Sequence, residues 1–417
     1  MTESGPRPVA RSGSMVDLLD DDVSSYSLAD WRRRNVCLYQ RLSALGLIDV
    51  RVVSVDAFRA LNDALIAFRV GAATDPQNAS HVRAQNENVI HYAIAGRVPV
   101  HVLTISFVAG CFHDLNKAVG EPLRDDDFAV RDGDGRIVPV MTTMAQIVGL
   151  NHLGDRTRRA IVHLTRGRGP VVAPSVGQEI DRCIVHHGLG SSRFIRDLVD
   201  GRNAWWGTEF VDPHSGRKKL VHPEQPELTL ASLIHDLADS TQQMQGGATW
   251  LMKYPSGFWR ASGRSYLEML TSPWAEDMDI PMSLRSQIDV ESETCLAMID
   301  RASQAQVVDD TLAETLRAAV GAATRTSRQW VDDSEACLSR ADGASVFHDV
   351  ARDLGVSTEA ACALLREAHP GTPDGDVVEE AIWSSARRVE RARARALAIQ
   401  IESSPDCGAS SSDIVRI

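Results

Sequence analysis

The sequence predicts an all-α protein: a helical bundle carrying small β-hairpin insertions and a C-terminal helical extension. Three observations point there. Aromatic residues make up only 5% of the chain while Ala, Leu and Arg are abundant, a composition that favours helix over sheet. Apolar residues recur at helical spacing through most of the 417 residues, the primary signal for amphipathic helices. Patterns of β-branched residues around Asp-Gly turns are confined to two short places.

Each element has its own reason. Residues 1–28 are rich in Ser, Gly, Pro and Asp without apolar periodicity and read as a disordered arm. From Leu28 to Gly46 the period returns through Trp31, Val36, Leu38, Leu42 and Leu45, so the ordered chain is expected to begin there. Further helices are expected at 55–70, 83–96, 99–118, 142–151, 155–165, 176–187 and 227–246, separated by Pro- and Gly-rich connections. Phe128–Pro139 sets Asp-Gly repeats between β-branched residues and reads as a hairpin, with a second at Phe210–Val221. Both read as insertions between helices of a domain spanning 29–275. Beyond Pro281 the chain is Ala-rich and periodic to about Ile401, which suggests a separate helical unit over 282–401, followed by a flexible tail over 402–417.

Composition bounds the function. A net charge of −12 opposes nonspecific adhesion to nucleic acid or anionic lipid. Cysteines 37, 111, 183, 295, 337, 362 and 407 show no paired spacing, so neither a zinc ribbon nor a disulfide framework is expected. Residues 1–15 lack an apolar signal core, and no run approaches the roughly 18–20 apolar residues needed to span a bilayer. A soluble cytoplasmic protein without membrane association is the expectation.

The chemistry concentrates at His113-Asp114. This pair closes the apolar run from Val98 to Phe112 and is followed by Leu115, Asn116 and Lys117. Two other His-Asp pairs occur, His235-Asp236 and His348-Asp349, and the latter lacks the apolar lead-in and the trailing Lys. An apolar helix that delivers a His and a carboxylate side by side, with Lys117 one turn on, sets a metal-ligand pair beside a cation suited to phosphate. The segment from Phe107 to Lys117 resembles the signature of the HD superfamily of metal-dependent phosphohydrolases, over roughly residues 80–245. Within that superfamily, the Leu-Asn-Lys ending is similar to the HD nuclease domains of CRISPR effector subunits.

The resemblance implies an HD-domain helical bundle whose metal ligands come from several helices. His91, in the segment from Asn86 to Gly96, takes the place of the first ligand, with His81 as the alternative. His113 and Asp114 follow. The late ligand matches the Ala238-Asp239 dipeptide, so Asp239 is preferred over Asp236, while His235 is either a partner behind the ligands or an additional ligand. The adjacent His186 and His187 resemble the paired histidines of the two-metal branch, with His152 or His163 as a further upstream ligand; Gly188 stands where an acidic residue commonly follows. One or two divalent ions are implied, among Mn, Fe, Co, Ni and Mg. Asp114 would also hold or deprotonate the attacking water, and Lys117 would meet phosphoryl oxygens.

Substrate signals are broader. Arg156, Arg158, Arg159, Arg166 and Arg168 precede the paired histidines; Arg193 and Arg196 follow them. After Asp239, the rings of Trp250, Tyr254, Phe258, Trp259 and Tyr266 interleave with Lys253, Arg260 and Arg264, a pattern that suits base stacking and core packing alike. Arg193 and Lys253 are the candidate substrate contacts. The run from Val350 to Leu365 reads as a helix-turn-helix or as a plain helix corner. The leading expectation is a phosphohydrolase acting on a nucleotide or single-stranded nucleic acid. The alternatives are an HD-type di-iron oxygenase and a non-catalytic nucleotide-sensing helical protein.

Overall fold

The structure is a computed structural model that describes Met15, Leu19, Ser265 and residues 28–67, 76–112, 129–131, 137–139, 172–186, 209–211, 218–220, 228–244, 284–338, 348–369 and 371–403. Helix α1 (Leu28–Ala44) buries Leu38, Tyr39 and Leu42 along one stripe. It stops at Gly46, whose φ of 75° lies in the left-handed region, and the Leu47 amide returns to the Leu42 carbonyl at 2.9 Å. That closure satisfies the last carbonyls of the helix, and glycine adopts it without a Cβ penalty. Helix α2 (Val55–Ala67) is capped by Ser54, whose hydroxyl accepts from the Ala57 amide at 3.1 Å. Tyr39 and Phe58 stack with centroids 4.1 Å apart, and the Tyr39 hydroxyl donates to the Val53 carbonyl at 2.6 Å. The two helices are thereby joined by an aromatic pair worth about 0.5–1.5 kcal/mol beyond its buried area.

Helix α3 (Pro76–Ala95) begins earlier than the expected residue 83, because the apolar period starts only at Val82 while Pro76 suits a first helical turn. Helix α4 (Val100–Phe112) is buried continuously from Val102 to Phe112, so it is an interior helix with no solvent face. Helices α5 (Pro174–His186) and α6 (Leu230–Met244) match two expected segments to within a few residues. The expected helices at 142–151 and 155–165, and residues 113–118 at the end of the 99–118 segment, lie outside the described residues. Two short antiparallel ladders are present: β1 (Ala129–Arg131) with β2 (Ile137–Pro139), and β3 (Glu209–Val211) with β4 (Lys218–Leu220).

The C-terminal part is helical throughout its described residues. Helix α7 (Leu284–Gln304) folds back on α8 (Asp310–Leu338), with Arg317–Asp300 and Arg328–Asp289 pairs across the surface and Asp309 capping the Leu312 amide. Helices α9 (His348–Leu354), α10 (Thr358–Glu367) and α11 (Pro373–Ser403) complete it. In the candidate helix-turn-helix, Ala361, Cys362 and Leu365 of the second helix are buried, and α10 packs on α8, α9 and α11. That packing is a helix corner, since the inward face of the second helix belongs to the core.

Helix α6 sits at the centre. It packs against α3, α4, α5, α7 and α8, and every residue from Ala231 to Gln242 is buried. The core is continuous from Met15 to Ile401. Two features therefore differ from the sequence reading. Met15 and Leu19, inside the segment read as an arm, are helical and buried, with the Met15 amide donating to Glu402 at 2.9 Å. The helices beyond Pro281 share the core through α6 instead of standing apart, because a period analysis finds apolar faces but not the faces they meet. Cys37, Cys111, Cys183 and Cys295 are free thiols, whereas Cys362 is disulfide-bonded. Pairing depends on proximity in the fold, which the scattered spacing does not reveal. No described helix is long and apolar enough to cross a membrane.

Candidate functional site

The polar chemistry of the described structure lies in the seam between α3 and α6. Residues Arg83, Gln85, Asn86, Glu87 and Asn88 of α3 are all buried, as are Ser232, His235, Asp236, Asp239, Ser240, Thr241 and Gln242 of α6. Buried polar groups are tolerated when they bond to one another, and such contacts cross the seam. Gln85 Nε2 meets His235 Nε2 at 3.0 Å; Asn88 Nδ2 donates to the Ala238 carbonyl at 3.2 Å; the Tyr92 hydroxyl meets Thr241 Oγ1 at 2.7 Å. Residue numbers rise together on both helices, so the seam is parallel.

Helix α4 packs against both of these helices. Ser106 Oγ donates to the Ala231 carbonyl at 2.9 Å. Four residues later, Gly110 faces Asn86 and Gln85 so closely that a Cβ there would overlap Asn86 Oδ1, and Asn86 Nδ2 donates to Cys111 Sγ at 3.3 Å. Only glycine permits this approach. The end of α4 is thus held at the level where Gln85 meets His235, one residue short of where His113 follows Phe112.

Two carboxylates of α6 point into this interior. Asp236 and Asp239 are 6% and 8% exposed and His235 is fully buried. At 100° per residue, Asp239 falls about 40° round from His235 and Asp236 about 100°. His235 Nδ1 lies 3.4 Å from Asp236 Oδ1. Burial pushes the Cys183 thiol of α5 well up, and the Asp236 carboxylate adds to that rise. Burial likewise pushes up the Cys295 thiol of α7, followed by the charge of Glu291; Asp236 and Asp239 contribute, while a hydrogen bond from Ser240 opposes them. Both thiols are therefore inert at neutral pH.

On its other side, α3 meets the C-terminal helix. Arg393 of α11 donates to Asn88 Oδ1 at 3.1 Å. Burial raises the Glu87 carboxyl, and the guanidinium groups of Arg83, Arg393 and Arg34 pull it back. Half-buried His91 turns to this side: burial and then Arg393 hold its ring below the usual range, while a hydrogen bond with Gln400 acts in the opposite sense. A neutral ring at physiological pH follows.

Of the residues singled out by the sequence, His91, His235, Asp236 and Asp239 are described, and His235 with Asp236 and Asp239 share one stretch of α6. His91 lies on the adjoining helix with its ring toward α11. His81 lies in α3 and His186 ends α5, but their side chains are outside the described residues, as are His113, Asp114, Lys117, His152, His163, His187, Arg193 and Lys253. Among the described residues no three His, Cys, Asp or Glu side chains group to hold a metal. Asp236 and Asp239 are carboxylates one turn apart and more than nine-tenths buried, a donor type that divalent cations accept.

Sequence reasoning did not single out Gln85, Asn88, Thr241 or Arg393. The amide-rich turn Gln85, Asn86 and Asn88, set among apolar residues, was the available signal: amides inside a helix that must be buried need partners on a neighbouring helix. Comparison with protein-family models, with curated proteins and with solved structures finds no match.

Proposed function

We propose that the protein is a metal-dependent phosphohydrolase of HD type, built as a helical bundle with the hairpins as insertions, acting on a phosphoester of a nucleotide or of single-stranded nucleic acid. One observation carries the reading. Helix α6 takes Asp236 and Asp239 into the interior against α4 and α5, and those two helices lead directly into the other residues whose pattern resembles the family: Phe112 into His113-Asp114, and His186 into His187.

In this proposal His113, Asp114 and Asp239 would hold one divalent ion together with His91, whose ring turns from Gln400 to reach it. His186 and His187 would serve a second ion. Such an ion lowers the pKa of a bound water towards neutrality and so supplies a hydroxide nucleophile. Asp114 orients the attacking water and takes its proton. Lys117 meets the charge that grows on the phosphoryl oxygens, and Arg193 and Lys253 bind the substrate further out.

The test is elemental analysis of the purified protein together with hydrolysis of a panel of nucleotides, cyclic dinucleotides and single-stranded DNA and RNA. One or two bound ions and metal-dependent release of phosphate or cleavage are expected, with His113→Ala and Asp114→Ala losing both. Full metal occupancy in both variants would overturn the site.

A further inference from the structure

Both ring nitrogens of His235 are engaged, and the two contacts together fix where its proton sits. Nδ1 faces Asp236 Oδ1 at 3.4 Å and Nε2 faces Gln85 Nε2 at 3.0 Å, with His235 and Gln85 both fully buried. A carboxylate oxygen only accepts, so the Nδ1 position carries the hydrogen. A neutral imidazole then has a lone pair at Nε2, and the amide N–H of Gln85 is the group that faces it. The two assignments agree without protonating the ring.

We infer that His235 is a positioning residue and not a metal ligand: Gln85 and Asp236 lock it as the Nδ1–H tautomer, and it in turn fixes the orientation of the Asp236 carboxylate. The lone pair that would bind a metal is already taken by Gln85, on a helix 150 residues away in sequence. One oxygen of Asp236 is committed to the same chain of contacts. Gln85 thereby joins the site as the residue that sets the ring. Imidazole tautomer control by a hydrogen-bond partner is a known device near metal centres, where losing the partner weakens metal affinity about 10- to 100-fold.

The inference deepens the metal-dependent reading, but its first test does not need a metal. Full-length protein labelled with ¹⁵N at histidine, with His235→Asn used to assign the resonance, reports the protonation of each ring nitrogen directly. The expected signature is a protonated Nδ1 and an unprotonated Nε2 at neutral pH. Asp236→Asn, whose amide oxygen still accepts, should keep that tautomer, whereas Asp236→Ala and Gln85→Leu should let the ring exchange between tautomers. A merely space-filling His235 would show no such split between Asn and Ala. An Nε2–H or doubly protonated ring in the unsubstituted protein overturns the inference. In the second test Mg²⁺ or Zn²⁺ alone is added. The His235 nitrogens should stay in place while metal binds, and a stoichiometric shift at Nε2 would make His235 a ligand and overturn it. A protein that binds neither ion, and none of Mn²⁺, Fe²⁺, Co²⁺ or Ni²⁺, would refute the metal-dependent reading while the tautomer still decides the inference.

Discussion

The contact between Tyr92 and Thr241 gives the most quantitative test of the α3–α6 seam. Thr241 Oγ1 has one proton and gives it to the Leu237 carbonyl at 2.6 Å. The hydroxyl of Tyr92 is therefore the donor in the 2.7 Å contact, and both side chains are at most 1% exposed. Tyr92→Phe removes a donor and leaves Thr241 still facing Asn88 Nδ2 at 3.4 Å, so it should cost about 1 kcal/mol, the net value of one buried hydrogen bond. Thr241→Val keeps the shape but leaves the Tyr92 hydroxyl in the core with no acceptor. That group keeps its full desolvation penalty, about 1–3 kcal/mol, and Thr241's own bond is lost as well. Thr241→Val should then cost about twice as much as Tyr92→Phe, and adding Tyr92→Phe to it should restore about 1 kcal/mol by removing the orphaned hydroxyl. Equilibrium urea unfolding of the three variants at equal slope reads these differences from the midpoints. A Thr241→Val protein as stable as Tyr92→Phe, or a double variant less stable than Thr241→Val alone, would refute the assigned donor direction.

Other outcomes follow from the proposed function and from the geometry of His91. Asp239→Asn should abolish metal-dependent hydrolysis while Asp236→Asn reduces it less, as initial rates with saturating metal will show; the reverse order means that the helix presents its other carboxylate. Lys117→Ala should leave metal content unchanged and slow turnover about 100-fold, the usual loss for one charged transition-state contact, and unchanged rates in a metal-replete variant would remove Lys117 from the site. His91 has a folded pKa depressed by burial and Arg393, so the unfolded chain binds its proton first. Stability from this residue is present above the unfolded value of about 6.5 and is lost as pH falls through the folded one. Urea midpoints at pH 7.5 and 5.5 should therefore fall further in the natural protein than in His91→Gln, and the difference between the two proteins cancels the opposite contribution of Glu87.

Some of this was legible in the sequence and some was not, for physical reasons. The apolar run Val98–Phe112 announced a helix, which is buried from Val102 onward while Pro99 and His101 stay exposed, and the apolar period over 227–246 announced α6. Neither pattern could show that α6 is surrounded on all sides. Its Ser232, Asp236 and Thr241 are interior because α3, α7 and α8 bring partners from distant parts of the chain. Gln85 and Asn88 likewise find partners on α6, 150 residues away in sequence. The burial of Met15 and Leu19 was hidden by their polar neighbours, since two isolated apolar residues make no period. The candidate site divides similarly: the Ala238-Asp239 dipeptide stands in the sequence, and the fold buries that carboxylate, whereas the contacts that bind Gln85 to His235, or Arg393 to Asn88, depend on pairings no local window contains.

The tie between Met15 and Glu402 bears on how the molecule is made. A contact spanning 387 residues, with another spanning 305 between Arg393 and Asn88, cannot form while the ribosome is still extending the chain through the C-terminal helix. Segments that pair early, such as α1 with α2, can settle locally, but the polar flank of α3 must wait for the last helix to arrive. Such long-range closure slows folding and prolongs the exposure of unfinished surface to aggregation. Shortening the chain ahead of Ser403 during expression would remove that closing element and leave Glu87, Asn88 and His91 facing solvent beside an incomplete core.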